Sequence, residues 1–359
     1  MSESGSNIPQ INQIDLEWAY VYGGPLASAV MRTEPEDFIV KEDLGFEPTG
    51  EGEHAFLVIR KRNANSEWVA RQIAKLVGVK KMDVGFAGMK DRRAVTTQAF
   101  TVKLTGSSEP DWDELNSDEG GEQIDVVSSG RHQRKLKRGA LAGNHFQIVL
   151  RQLDGGHAEI DKRLEVIRQR GFPNYFGEQR FGFDGNNLLS AAKMFRREIK
   201  VKDRSKRGIY LSAVRSYLFN RLLSLRVDAD NWDQVIDGDW VWTAEDTRGF
   251  TFDSGNSQHQ ELFAKAKLIA AGPLWGDGKP LTQRDANRFE QEIAEPESFW
   301  IEGLKAARMD QGRRKLQVRV DDLQWYWDED ALTLEFSLPS GSYATSLLRE
   351  FCQTIKPDL

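Results

Sequence analysis

Between Phe38 and Leu150 the chain alternates apolar and polar positions with period two in several short runs. VTTQAFTVKL (95–104) and HFQIVL (145–150) predict half-buried strands by this alternation, and FIVKED (38–43) and HAFLVIR (54–60) predict strands by their β-rich composition. One helix interrupts them. Val69, Ile73, Leu76 and Val77 recur at helical spacing behind Ser66, the predicted N-cap, and Gly78 closes the segment. From about Ile160 to Ala307 the period changes to that of helices. IDKRLEVIRQR, NNLLSAAKMFRR, YLSAVRSYLFNRLLSLR and TQRDANRFEQEIA all show it, the last opening at Thr282 as a predicted cap. Strand signals return in KLQVRV and ALTLEFSL, and a final helix, SYATSLLREFC, is predicted just after Gly341. Strand-rich, then helix-rich, then strand-rich again predicts an α+β chain, one sheet domain interrupted by a helical insertion.

The bulk numbers agree with this and exclude some chemistry. At 359 residues, 39% apolar and 29% charged, the chain is of ordinary globular composition. It holds no apolar run long enough to span a bilayer, so no membrane partner is expected. The stretch MSESGSNIPQINQ lacks the basic and apolar regions of a secretion signal, which makes the cytoplasm the expected compartment. A single cysteine, Cys352, excludes an intramolecular disulfide and a multi-cysteine metal site. The five histidines are scattered, and a histidine-rich metal cage is not expected.

The net charge of −6 hides an uneven distribution. RHQRKLKR (131–138) carries five Lys or Arg and no acid, and 193–207 carries eight against Glu198 and Asp203. Acids gather instead in the stretch 109–125, which reads as a loop of low complexity. Segregated basic clusters suit a polyanion such as RNA; solvated turns and helix faces explain them as well.

In GFAGMKDRR (85–93) a lone aspartate, Asp91, stands between Lys90 and the pair Arg92 and Arg93. Its basic neighbours favour the ionised carboxylate at neutral pH, which suits a nucleophile or general base. For a lone aspartate, a charged turn without chemistry is the commoner explanation. The segment lacks the spacing of a P-loop, so phosphate binding there is weakly supported. Asn144 and Phe146 share one side of a strand start, where an amide and an aromatic ring can read and stack a base. Phe38, after Pro35 and two acids, reads as core or as a stacking platform.

Five long segments carry a resemblance. RTEPEDFIVKEDLGFEPTGEGEH, GFAGMKDRRAVTTQ, HQRKLKRGALAGNHF, GFPNYFGEQRFG and LPSGSYATSLLRE occur in this order between Arg32 and Glu350. Together they resemble the tRNA pseudouridine synthase D (TruD) family in its bacterial form. That resemblance implies a twisted mixed sheet (1–169 and 320–359) interrupted by a helix-rich insertion domain (170–319), and conversion of uridine 13 of tRNA to pseudouridine by base flipping. It implies tRNA as partner, with no cofactor, metal or obligate protein partner.

By the same resemblance Asp91 is the catalytic aspartate and Arg32 the basic residue pairing with it. Phe38, Asn144, Phe146 and Tyr343 line the uridine pocket. Tyr343 stands where relatives often carry phenylalanine, and Arg32 where a relative carries lysine; aromatic packing and the ion pair are both kept. The basic clusters then acquire a use, with Arg131, Arg134, Lys135, Lys137, Arg138, Lys206 and Arg207 expected on tRNA phosphates. The rival from another class is an RNA-binding protein of this fold without catalysis, in which Asp91 only balances its neighbours.

Overall fold

A computed structural model describes residues 14–104, 109–243, 248–265 and 267–357. Strands β1 (Ala27–Met31), β2 (Phe38–Asp43) and β3 (His54–Arg62) lead to helix α1 (Ser66–Val77). Then come β4 (Val84–Phe86), β5 (Val95–Lys103), β6 (Ser117–Glu119), β7 (Glu122–His132), β8 (Gly143–Asp154) and α2 (His157–Arg170). A mixed middle follows: β9 (Phe172–Pro173), α3 (Asn186–Phe195), α4 (Arg204–Asp228), β10 (Trp240–Thr243), β11 (Phe250–Thr251) and α5 (Ser257–Ala264). It continues with β12 (Leu268–Leu274), α6 (Arg284–Ala294), α7 (Ser298–Ala306), β13 (Gly312–Lys315) and β14 (Gln317–Val318). The chain closes with β15 (Gln324–Asp328), β16 (Ala331–Pro339), α8 (Ala344–Leu348) and β17 (Cys352–Ile355). No helix among the described residues is long and apolar enough to cross a membrane.

The chain forms two compact units, one of residues 25–168, 320–344 and 351–357. Its sheet runs β15-β16-β8-β2-β5-β3-β7-β6, with β1 on β8 and β17, and β4 on β5. The pairs β2–β5 and β1–β17 are parallel and the others antiparallel, so the sheet is mixed. Register puts Val40, Phe146 and Phe336 side by side on one face, with Glu42, Asn144 and Leu338 next along it. Period-two alternation makes this face apolar at its centre. Val69, Ala70 and Ile73 of α1 pack into the core of the unit with Leu57, Ile59, Phe100 and Val102. Trp112 and Leu115 belong to the same core, so the acidic stretch is no simple loop: it holds a buried turn and the β6–β7 hairpin.

The other unit comprises residues 14–24, 169–319 and 345–350. Helix α4 is its buried spine, through Leu211, Val214, Leu218, Phe219, Leu222 and Leu223. Arg226 of α4 meets Asp239 at 2.9 Å, both side chains almost fully buried. The helical reading of the middle missed a four-stranded sheet, β11-β10-β12-β13. The residues 14–24 and 345–350, expected with the sheet domain, group here for visible reasons. Trp18 packs against Tyr175, Phe181 and Tyr217, Glu350 accepts the Val21 amide at 3.1 Å, and Ser346 donates to the Tyr175 carbonyl at 2.9 Å.

Three local expectations shift. The cap of α1 is Asn65, whose side chain accepts the Trp68 amide at 2.8 Å, while Ser66 is buried and engaged elsewhere. Gly78 closes α1 in the left-handed region, φ +74°, as its sequence position predicts. Helix α6 starts behind Gln283 without a side-chain cap, and Thr282 is buried. The last helix is only α8, because Cys352–Ile355 leave it to pair with β1.

Candidate active site

Asp91 stands in the link between β4 and β5, and a dense set of anchors holds that link. Gly85 is required in β4 just before it: a Cβ there would lie 2.5 Å from the Leu136 carbonyl oxygen. The Gly88 carbonyl accepts the Gln98 amide at 3.2 Å, and the Lys90 backbone N–H donates to Ser66 Oγ at 3.0 Å. Ser66 in turn donates to Gln98 Oε1 at 2.5 Å, so the hydroxyl read as a helix cap serves the loop instead. Lys90 turns its ammonium inward to Glu42, 3.2 Å away, and to Asn144 Oδ1. The side chains of both Lys90 and Glu42 are almost fully buried.

From the end of β3, Lys61 reaches the same loop. Its Nζ donates to the carbonyls of Ala64 at 2.5 Å and Asp91 at 2.9 Å, with no part of the residue exposed. Burial pushes this ammonium down to about 8; the Asp91 charge opposes the shift and Lys90 adds to it. The Asn63 amide bonds the Ala94 carbonyl, and Arg92 Nε bonds the Asn63 carbonyl, both at 3.2 Å. The backbone of Asp91 is therefore fixed, while its side chain keeps 37% of its surface exposed. A held backbone with a reachable carboxylate is what a reacting group needs.

Arg32 follows β1 in the left-handed region, φ +66°, and its Nη2 meets Asp91 Oδ2 at 2.7 Å. The guanidinium also lies 3.9 Å over the Phe38 ring. Phe38 is held by the turn before it, where buried Asp37 accepts the Glu34 amide at 3.0 Å and pairs with Arg151 at 2.7 Å. Phe38 meets Phe146 edge-on at 6.1 Å, and Phe146 stacks on Phe336 at 5.5 Å. Sequence, strand register and ion pair thus bring Arg32, Phe38, Asp91, Asn144 and Phe146 together on one face of the sheet. Tyr343, half-buried, follows β16 and precedes α8.

The expectation of an open aromatic platform meets a closed layer. Phe38 is 3% exposed and Phe146 8% exposed, because Arg32 and Phe336 cover the surfaces that a base would use. Phe146→Ala is accordingly expected to lower stability by about 3–5 kcal/mol, the usual cost of removing a core phenylalanine. Urea unfolding of parent and variant checks this; a loss below about 1 kcal/mol would show the ring to be dispensable for packing. A separate cavity of about 770 Å³ is lined mainly by alternating neighbours such as Lys41, Asp43, Phe56 and His145. It includes Asn144 and Glu42 but not Asp91, Arg32, Phe38 or Phe146, so it is not the site built here.

The family model of tRNA pseudouridine synthase D (TruD) matches residues 15–201 and 186–351. The chain belongs to this family. It is 47% identical over 324 residues to the tRNA pseudouridine synthase D of Methylococcus capsulatus, covering 90% of each chain. It is 41% identical to that of Aeromonas salmonicida, covering 95% of each. A crystal structure titled as a tRNA pseudouridine synthase D from Methanosarcina mazei shares the fold, with a TM-score of 0.70 and 22% identity, over 96% of this chain and 98% of that one. The mixed sheet described above is thus a pseudouridine synthase fold.

In this family member the first basic cluster folds back beside the Asp91 loop. The Gly139 amide donates to the Ala87 carbonyl at 2.7 Å, the Leu136 amide donates to Thr101 Oγ1 at 2.8 Å, and Lys135 Nζ donates to the Met82 carbonyl. Arg138 lies 4.0 Å over Phe86, and Arg131 pairs with Glu109 at 3.2 Å. Arg134 and Lys137 are exposed, and among the described residues neither has an acidic partner. In the other unit Lys206 and Arg207 are exposed in the first turn of α4, capped by Asp203. Cations at a helix N-terminus oppose its dipole by about 0.3–1 kcal/mol each, so these charges are not there for helix stability.

The alternation of the strands and the resemblance gave no signal for the roles of Lys61 and Glu42, and the helix pattern read Ser66 only as a cap. All three act by contacts distant in sequence. Lys61 stands one residue before the end of an apolar-patterned strand, and nothing in that pattern marks it as buried.

Proposed function

We propose that this chain is a tRNA pseudouridine synthase that converts uridine 13 of tRNA to pseudouridine, with Asp91 as the group acting on the sugar. The carrying observation is the Arg32–Asp91 pair at 2.7 Å, on a fixed backbone with a reachable carboxylate, in a chain of this family. The reaction breaks the N1–C1′ bond, turns the base, and joins C5 to C1′. The C5 proton is lost and N1 gains one, so the balance closes without oxidant, reductant or transferred group.

Asp91 either attacks C1′ or takes a proton from the sugar, and both routes need its ionised form. Arg32 orients that carboxylate by one charge-assisted bond and is itself levelled by the Phe38 ring. Flipping the uridine out of its stack costs a few kcal/mol, which contacts in the pocket must offset. Asn144 and Tyr343 are proposed to contact the base, and Phe38 and Phe146 to back the pocket. A tRNA substrate suits a cytoplasmic protein.

Purified protein incubated with unmodified tRNA transcript, followed by pseudouridine mapping at single-nucleotide resolution, tests this reading. Pseudouridine at position 13 is expected; bound but unmodified tRNA would favour an RNA-binding protein instead.

The basic loop is proposed to hold tRNA phosphates beside the pocket. Replacing Arg134 and Lys137 with glutamine should flatten the slope of log affinity against log salt by roughly 1.5, since each lost phosphate contact removes about 0.7–0.9. An unchanged slope in a filter-binding titration would remove both side chains from the RNA interface.

A further inference from the structure

Lys61 is a fully buried charged side chain beside the site that the reaction described above leaves unused. Its neighbours across the sheet are Thr96 of β5 and Ile124 of β7, neither of them charged. A buried ammonium is costly, and a fold that retains one usually gives it partners. Here the partners are two carbonyls, and one belongs to Asp91 itself. We infer that Lys61 is a positioning residue: its ammonium clamps the Asp91 carbonyl to the Ala64 turn and so sets where the Asp91 carboxylate stands against Arg32. This rests on the assignment of Asp91 as the reacting group.

Geometry favours a clamp over mere filling. Asn63 sits at φ +52°, which turns the chain directly after β3 and presents the Ala64 carbonyl to Lys61. The same turn holds the far side of the Asp91 loop through the Asn63–Ala94 and Arg92–Asn63 bonds. Lys61 is the one member of this set whose bond ends on Asp91. An ionised donor makes a bond roughly twice as strong as a neutral one, so the clamp is tightest while Lys61 is charged. The charged groups facing it are Asp91 and Lys90 from the loop, with Arg32 paired to the far side of the same carboxylate. With its pKa near 8, Lys61 loses its proton as the pH rises through that value, and the clamp slackens.

The test uses the full-length protein and unmodified tRNA transcript, with Lys61→Gln and Lys61→Met as variants and thermal melts to confirm folding. Single-turnover conversion at pH 7 is expected to fall at least a hundredfold in both, with tRNA affinity within threefold of the parent. The rate of the parent should halve near pH 8, while its tRNA affinity shows no step there. Lys61→Gln should lack this alkaline fall. A variant within threefold of the parent rate would overturn the inference, as would a parent rate flat from pH 7 to 9. The second arm needs no variant and decides the matter if both substitutions unfold the protein. A parent that makes no pseudouridine would instead defeat the assignment of Asp91, and the role of Lys61 with it.

Discussion

Asp91→Asn is expected to bind tRNA normally and leave its uridine unconverted. The amide keeps the size and shape of the carboxylate, so the loop anchored by Lys61, Lys90 and Ser66 has no steric reason to move. What disappears is the charge that attacks C1′ or accepts a proton. A neutral amide does neither, and turnover should fall by at least about 10³, within the range general bases contribute. Binding should hold or tighten, because one negative charge near the phosphates has gone. Turnover within tenfold of the parent, only about 1.4 kcal/mol of barrier, would sink the catalytic assignment. Loss of binding together with turnover would point to a structural aspartate, with Asp91→Glu as the variant that separates charge from shape.

Strands were the most legible part of the fold. FIVKED, HAFLVIR, VTTQAFTVKL and HFQIVL fall on β2, β3, β5 and β8. Strands β2 and β8 alternate because one face is buried, whereas β3 and β5 are central strands buried on both faces and are legible from their β-rich composition. The sheet of the helical unit was not legible. Its strand WVWT is short, and LIAAGPL is a continuous apolar run with no alternation to read. The stretch 109–125 misled through its charge, since two apolar residues, Trp112 and Leu115, are enough to bury a turn.

Within the site, the residues on one strand or in one loop could be placed from sequence: Asn144 and Phe146 share a face by alternation alone. Whether their surfaces are open could not. Phe336, which closes the layer under Phe146, comes from a strand nearly 200 residues later, and Arg32 reaches Phe38 only because of a left-handed turn after β1. Ser66 shows the same limit on a smaller scale. Its position before a helical pattern fits a cap, but the preceding Asn65 takes that role and frees the hydroxyl for the loop.

Lys90→Met should both destabilise the protein and stop turnover, and the two losses are separable. Lys90 and Glu42 meet at 3.2 Å with 7% and 1% of their side chains exposed, and Glu42 also accepts the Ala99 amide at 3.0 Å. Removing the lysine leaves a buried carboxylate without its cation, a change that typically costs about 3–5 kcal/mol. Removing both charges, in Lys90→Met with Glu42→Gln, takes away that uncompensated group and should restore much of the stability. It does not restore the bond from Lys90 to Asn144, nor the ammonium that draws the loop down onto β2 one residue before Asp91. Turnover in the double variant should therefore stay at least a hundredfold below the parent while urea unfolding recovers by about 2 kcal/mol or more. Recovery of both together would mean that Lys90 matters only as the counter-charge of Glu42. The single variant should lose affinity for tRNA only modestly, since the Lys90 ammonium is buried and its place on the loop is structural, so the loss ought to appear in kcat and not in KM.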